Sequence, residues 1–242
     1  MKQIRTYLVG IFLSTILMSC QFNGNFSFGV NGNGNVQKQD RSISLDFNRI
    51  EVSRGLDVYL TQSNINSIEV EADENLHDII ITAVEGNTLK IYADDNIASS
   101  KSQKVFVTFK DIQEIRSTSG SDVFSTGLIK SNVLKLTTTS GSDMDLEINV
   151  DVVECKSASG SDLRLSGTAN KLYAEATSGS DIKAGNLITN ICKAKATSGA
   201  DIILNPSEEL YAKTSSGGDI KYYGSPQKIT KKEGVSGSVD KK

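Results

Sequence analysis

Six aspartates recur at one place in a short phrase. Ser-Gly-Ser-Asp stands at 119–122, 140–143, 159–162 and 178–181. The variants Ser198-Gly199-Ala200-Asp201 and Ser216-Gly217-Gly218-Asp219 follow, and a worn copy, Ser236-Gly237-Ser238-Val239, lies near the end. The carboxylates Asp122, Asp143, Asp162, Asp181, Asp201 and Asp219 are therefore the first candidates for chemistry. Carboxylate oxygens are hard ligands, so a row of them is a candidate Ca²⁺ ladder. The phrase resembles calcium-binding nonapeptide repeats, but its period of about 20 residues does not fit them. An unequal carboxylate pair would serve glycosidic chemistry. Six equivalent positions supply no inequality and read as structural. Serine hydroxyls, turn amides and the cations Arg164, Lys183 and Lys221 would offset a repulsion of about 1 kcal/mol per neighbouring pair. No catalytic residue and no cofactor are expected.

Other candidates are weaker. Thr118, Thr139, Ala158, Thr177, Thr197 and Ser215 form a second row, two residues before each glycine. Such a row stabilises adjacent strands and is less readily a binding face for ice or glycan. The single histidine, His77, leaves little for His-based metal or triad chemistry; it lies among Asp73, Glu74 and Asp78, where a metal site is conceivable but unsupported, and a solvated surface position is expected.

The elements that position the aspartates follow from the same repeat. The glycines at 120, 141, 160, 179, 199, 217 and 237 are 18 to 21 residues apart. Five residues before each of the first six stand Ile115, Leu136, Cys155, Ala174, Ala194 and Ala212. Three residues after stand Val123, Met144, Leu163, Ile182, Ile202 and Ile220. Odd offsets are apolar or small, and even offsets are rich in Lys. A period of two means strands with one buried face. Repetition in register means stacked coils. The expected fold is all-β: a parallel, right-handed β-helix with coils of about 20 residues. A β-sandwich is the rival, but it does not need the same tetrapeptide in every copy. Cys155 and Cys192 fall on inward positions two copies apart, beyond disulfide reach, and read as buried free thiols.

Residues 41–116 are also rich in strands, with a blurred repeat: Leu56, Val58 and Leu60 alternate, as do Ile68, Val70 and Ala72, then Val105, Val107 and Phe109. A short helical turn fits within 74–84. Arg54-Gly55-Leu56-Asp57-Val58 echoes the repeat phrase, so this part reads as an irregular start of the same solenoid, capping its edge. The regular β-helix is expected over 117–225, and a frayed, lysine-bearing tail over 226–242.

Composition excludes several roles. The chain has 242 residues, 26 Lys+Arg against 29 Asp+Glu, no Trp and 6% aromatics. The negative balance argues against nucleic acid, whose phosphates need a basic surface. The few aromatics argue against a sugar-stacking platform.

The first 19 residues are an address. Lys2 and Arg5 precede an apolar run, Tyr7 to Met18, of signal-peptide length. Leu17-Met18-Ser19-Cys20 resembles a bacterial lipobox. That resemblance implies cleavage before Cys20, a diacylglycerol on its sulfur and an acylated amino terminus. Several acyl chains anchor firmly. The expected place is the outer membrane of the cell envelope, facing the periplasm or the surface. Residues 20–40, dominated by Asn and Gly, read as a flexible tether.

Taken together, Gly55-Leu56-Asp57-Val58-Tyr59-Leu60, Val70-Glu71-Ala72-Asp73-Glu74-Asn75-Leu76, Leu89-Lys90-Ile91, Lys104-Val105-Phe106-Val107-Thr108 and the serial Ser-Gly-Ser-Asp copies resemble the auto-transporter adhesin head family, the Gly/Ile/Asn-rich "head GIN" domain. The resemblance spans roughly 40–225. It implies an envelope-located β-helical domain with a non-enzymatic, adhesion-type role and no catalytic residues to carry over. A membrane contact through the lipid and a glycan or protein ligand are the partners it leaves. A carbohydrate-active or calcium-dependent enzyme and a purely structural envelope component are the alternatives.

Overall fold

The computed structural model of the chain describes residues 29–43 and 46–242. The signal segment, Cys20 and the first part of the expected tether lie outside the described residues. The repeat folds as expected, into a parallel β-solenoid. Strands Asp143–Ala158, Asp162–Thr177 and Asp181–Thr197 each form nearly a whole coil. They lie directly on one another, Asp143 beside Asp162 and Asp162 beside Asp181. In Asp143–Ala158, inward positions run Met144, Leu146, Ile148, Val150, then Val153, Cys155 and Ser157. The slip of one residue between Val150 and Val153 reverses the facing of the chain, so a corner must lie there. Coils of unequal length absorb the difference at one further corner: the register shifts where Arg164 and Ser166 face Lys183 and Asn186.

The Ser-Gly turn has a specific backbone reason. Ser119, Ser140, Ser159, Ser178 and Ser198 have φ of 57–58°, and the glycines after them 66–70°. Two successive left-handed residues define the type I′ geometry. A Cβ built on Gly120, Gly141, Gly160, Gly179 or Gly199 would meet nothing within 4 Å. The glycine is therefore required by its dihedral and not by crowding. The turn links coils: Gly141 N–H donates to the Ser159 carbonyl at 3.2 Å, and Asp162 N–H to the Ser142 carbonyl at 3.2 Å. The second serine of the phrase points inward. Ser121, Ser142, Ser161 and Ser180 are all fully buried. Ser142 Oγ donates to the Ser117 carbonyl at 2.9 Å and Ser180 Oγ to the Ser157 carbonyl at 2.8 Å, so a hydroxyl ladder runs inside the turn edge.

Core volume is traded between two inward columns. Before the turn the column tapers from Ile50, Ile115 and Leu136 to Cys155, Ala174, Ala194 and Ala212. After it the column grows from Val58 and Val123 to Met144, Leu163 and Ile182. Close packing needs roughly constant volume, so as one side shrinks the other expands. Cys155 and Cys192 are free and buried, as expected.

The N-terminal part is a solenoid start closed by antiparallel strands. Asp57–Gln62 lies parallel on Asp122–Ser125, and Arg54-Gly55 makes the turn in place of Ser-Gly, with φ of 63° and 75°. Gln103–Phe109 follows in parallel on Asp57–Gln62; Ser67–Asp73 then pairs antiparallel, and Val36–Arg41 antiparallel on that. Ile80–Glu85 closes the other face, antiparallel on Thr88–Ala93. The short helical turn is a single 3₁₀ turn, Glu74–Leu76.

Two expectations differ. Residues 29–41, read as part of a tether, are built into the cap. The glycines there serve close approach and not flexibility: a Cβ on Gly32 would lie 2.0 Å from Asp73 Oδ2. Asp73 is buried and accepts N–H bonds from Gly34 at 2.9 Å, Lys101 at 3.1 Å and Ser102 at 3.2 Å. Residues 228–241, read as a frayed tail, continue the stack. Lys228–Glu233 lies parallel on Pro206–Ser215, and Ser238–Lys241 on Asp219–Tyr222, burying Val239 against the core. The worn phrase still turns, with Ser236 at φ 56°.

Candidate functional site

All six repeat aspartates stand in one file, and the fold adds Asp57 at its start, since Asp57 pairs with Asp122. Their neighbours are cations of the file alongside. Arg164 Nη2 is 2.7 Å from Asp162 Oδ2, and Lys183 Nζ is 2.8 Å from that same atom and 3.1 Å from Asp181 Oδ2. The hydrogen bond to Asp162 is the main cause holding the Lys183 pKa above its ordinary value. Where cations are fewer, the carboxylates respond. Partial burial, then the neighbouring aspartates, push Asp122 and Asp201 above the usual carboxylate value, and burial does the same to Asp57 against the pull of Lys104. Among the described residues, no group of three or more His, Cys, Asp or Glu side chains is placed to hold a metal ion. The ladder is a repetitive seam, ion-paired at Asp143, Asp162 and Asp181. It brings all its members together in one file, and the raised values fall on Asp57, Asp122 and Asp201.

His77 is not at a solvated surface. It is 8% exposed, with Nε2 3.2 Å from the Gln37 carbonyl and its own carbonyl accepting from Arg41 Nη2 at 2.6 Å. The acidic residues around it in sequence point elsewhere, because the 3₁₀ turn puts His77 under the strand Val36–Arg41. The thiols are unsuited to nucleophilic work: burial pushes the Cys155 pKa far up and that of Cys192 up to about 11. The Thr row is half-buried beside the turn.

Aromatics do form one outward cluster. Phe106, Tyr59 and Phe124 stack with centroids 5.2 and 5.4 Å apart, and Lys38 lies 5.2 Å over Phe106. Their faces are spent on one another and on lysine, so the cluster is a ladder and not an open sugar platform.

A broad concavity lies elsewhere, at the corner opposite the turns. A groove of about 1550 Å³ runs along the stack. Its spine stands nine residues before each glycine: Asp111, Asn132, Asp151, Asn170 and Asn190. Asn170 Nδ2 donates to Asp151 Oδ1 at 2.9 Å, Asn190 Nδ2 to Asn170 Oδ1 at 3.1 Å, and Ser207 Oγ to Asn190 Oδ1 at 3.2 Å. Ser131, Val150 and Ala169 line the floor beside the spine. Cap residues raise the wall at one end: Asn66 Nδ2 donates to Asp46 Oδ1 at 3.0 Å, and Lys110 N–H to Asn66 Oδ1 at 3.1 Å. The sequence reading missed this column. Its signal was present, an Asp or Asn at one offset in five successive copies, but it is fainter than the Ser-Gly-Ser-Asp phrase because two residue types share the position.

Fold and surface thus define a class: a capped parallel β-solenoid whose outer side chains form files along its length. Within that class the chain belongs to the family described as "Putative auto-transporter adhesin, head GIN domain", whose profile matches residues 46–226. Solved structures share the fold. One, described as a putative adhesin from Bacteroides fragilis, has a TM-score of 0.82 at 24% identity, covering 88% of this chain and 100% of that one. Another, described as a putative lipid binding protein from Parabacteroides distasonis, has a TM-score of 0.72 at 24% identity, covering 88% and 99%. A third, a putative adhesin from Parabacteroides merdae, has a TM-score of 0.71 at 22% identity, covering 88% and 98%. At these identities the likeness is one of fold. No curated protein matches the chain. No helix among the described residues is long and apolar enough to cross a membrane.

Proposed function

We propose that this chain is a lipid-anchored, non-enzymatic binding module of the bacterial outer membrane, of adhesion type. One observation carries the binding reading: a rigid stack presents in-register files of polar side chains along a groove of about 1550 Å³, larger than the 300–1,000 Å³ of ordinary small-molecule sites. An extended partner gains many shallow contacts on such a surface. The anchor rests on the lipobox, with Cys20 carrying the acyl groups. The non-enzymatic reading rests on the repetition of the ladder carboxylates along an open face, with no single pair of them set apart in a cleft, and on the raised thiol pKa values. Its family and its structural neighbours support an adhesion role.

The test has two arms. Cells expressing the chain and fed a labelled fatty acid should place label on the protein, and Cys20→Ala should abolish it. The full chain in detergent, applied to arrays of glycans and matrix proteins, should bind at least one class without releasing product. Silence on every array, or turnover of an arrayed glycan, overturns the reading. Calorimetry with Ca²⁺ adds the metal arm: no heat and no melting shift are expected from the aspartate file.

A further inference from the structure

We propose that the asparagine corner groove binds an uncharged linear polysaccharide laid along the solenoid axis. This rests on the reading of the chain as a binding module and names the ligand class and the site. Four features of the groove converge on it.

The first is length. From Arg49 the floor passes Glu114 and Lys135 to the coils of Asp151, Asn170 and Asn190, five steps between neighbouring strands. At about 4.8 Å per step the groove extends roughly 24 Å, which is the reach of a chain and not of a single sugar. The second is charge. Asp46, Asp111, Glu114 and Asp151 line it on the acidic side. Arg49, Lys110, Lys130 and Lys135 line it on the basic side, so the formal sum is zero. Glu114 sits between Arg49 at 3.8 Å and Lys135 at 3.4 Å, so basic and acidic groups are interleaved and the groove offers a polyanion no net positive charge.

The third is hydrogen-bond capacity. A side-chain amide offers two donors and two acceptor lone pairs, and Asn170 spends one N–H on Asp151 and one lone pair on Asn190. The other half of each amide remains for a partner that both donates and accepts, as a sugar hydroxyl does. The fourth concerns the backbone. The strands under the groove are interior to the sheet, with their N–H and C=O groups committed to the ladder. A peptide therefore cannot add as a strand here, the usual source of affinity for an extended peptide. Val133 and Ile188, 49% and 56% exposed, supply apolar contacts for the C–H faces of sugar rings.

Native affinity electrophoresis tests this with the full chain in detergent, in gels containing dextran, yeast mannan or mixed-linkage β-glucan. Polygalacturonate serves as the anionic comparison. Retardation by at least one neutral polymer is expected, insensitive to salt. Thr168→Trp, an exposed groove residue filled with a large ring, should weaken it at least about tenfold with the melting temperature unchanged. Asn132→Ala, toward the other end, should weaken it severalfold and guards against a folding defect in the first variant. No retardation by any neutral polymer, retardation by polygalacturonate alone, or retardation that neither variant alters overturns the proposal. A matrix protein bound on the arrays and untouched by Thr168→Trp would leave the binding-module reading standing while the groove assignment fell.

Discussion

The cap and the repeat solve the same problem in opposite ways. In the repeat, each carboxylate is one of a file, partly in water, and Asp143, Asp162 and Asp181 are answered by Arg164 and Lys183 of the file alongside. In the cap, Asp73 is 1% exposed and answered by three backbone amides from two distant segments. Burial pushes the Asp73 pKa up, but the amides of Gly34, Lys101 and Ser102, with the Lys101 charge, outweigh it and hold the carboxyl below the usual value. In the file, burial wins and Asp57, Asp122 and Asp201 are raised. Repetition thus tolerates mediocre sites, because each coil is secured by its neighbours. The cap has no neighbour beyond it and depends on single contacts such as the three amides on Asp73. The opposite end supports this contrast. There the last two strands, Lys228–Glu233 and Ser238–Lys241, each pair on one side only, and the exposed Lys228, Lys231 and Lys232 blunt the edge against further pairing.

The contrast breaks most visibly at Asp73. Asp73→Ala strands three N–H groups that now meet a charge, that of Ser102 buried and those of Gly34 and Lys101 partly so, and each such bond contributes roughly 1.5–3 kcal/mol. A loss of about 3 kcal/mol or more is expected in chemical denaturation, with residues 29–41 becoming the first site of proteolysis. Asp162→Ala, in the file, should cost no more than about 1 kcal/mol, as an exposed pair does. Equal losses at the two sites would refute the distinction. The next largest effect concerns the core taper. Ala174→Leu adds volume where the column has narrowed, and overpacking costs typically 1–3 kcal/mol. Pairing it with Ile182→Val should recover part of the loss, and a purely additive double variant would show that the two columns do not share volume.

The same division governs what was legible in the sequence. The period of two, the repeated phrase and the inward offsets of Cys155 and Leu163 placed the coils, because stacking turns sequence spacing directly into spatial files. The Asp111, Asn132, Asp151, Asn170 and Asn190 column was equally readable on that logic, though it went unread. The cap was not legible in the same way. Its strands are antiparallel and pair across about 30 residues, as Val36–Arg41 does with Ser67–Asp73, and no spacing encodes that. The glycines of 29–34 looked like flexibility because composition cannot tell freedom from close approach. His77 looked solvated because its sequence neighbours are acidic, while its spatial neighbours are Gln37 and Arg41.

Gly160→Ala is expected to cost about 1 kcal/mol, since a Cβ in the left-handed region costs roughly 1–2 kcal/mol even where space is free. The pH dependence separates cap from file with smaller energies. A raised folded pKa means that the native state takes up a proton first, so Asp122 and Asp57 relax as pH falls from 7 toward the unfolded value near 3.9. The depressed Asp73 acts in reverse: its contribution is complete above the unfolded value and is lost as pH falls through its lower folded value. Melting temperature should therefore hold or rise slightly on mild acidification, then drop at strongly acid pH. Asp122→Asn should flatten the first limb and Asp73→Asn the second; an unchanged acid limb in Asp73→Asn contradicts the assignment.

The smallest expected effect has the opposite sign and tests the turn itself. Ser159 holds φ of 58°, a region where Asn is markedly more at ease than Ser because its short polar side chain bonds locally. The side chain at 159 points to solvent at the outer tip, and no coil contact depends on its hydroxyl. Ser159→Asn should therefore stabilise by a few tenths of a kcal/mol, read as a small rise in melting temperature. The inner serine of the same phrase should respond in the reverse direction. Ser161→Asn puts a larger group into a buried site where Oγ donates to the Ala158 carbonyl at 2.8 Å and accepts from Ala158 N–H at 3.2 Å. If the two substitutions shift stability alike, the turn is governed by composition and not by the left-handed pair that defines it.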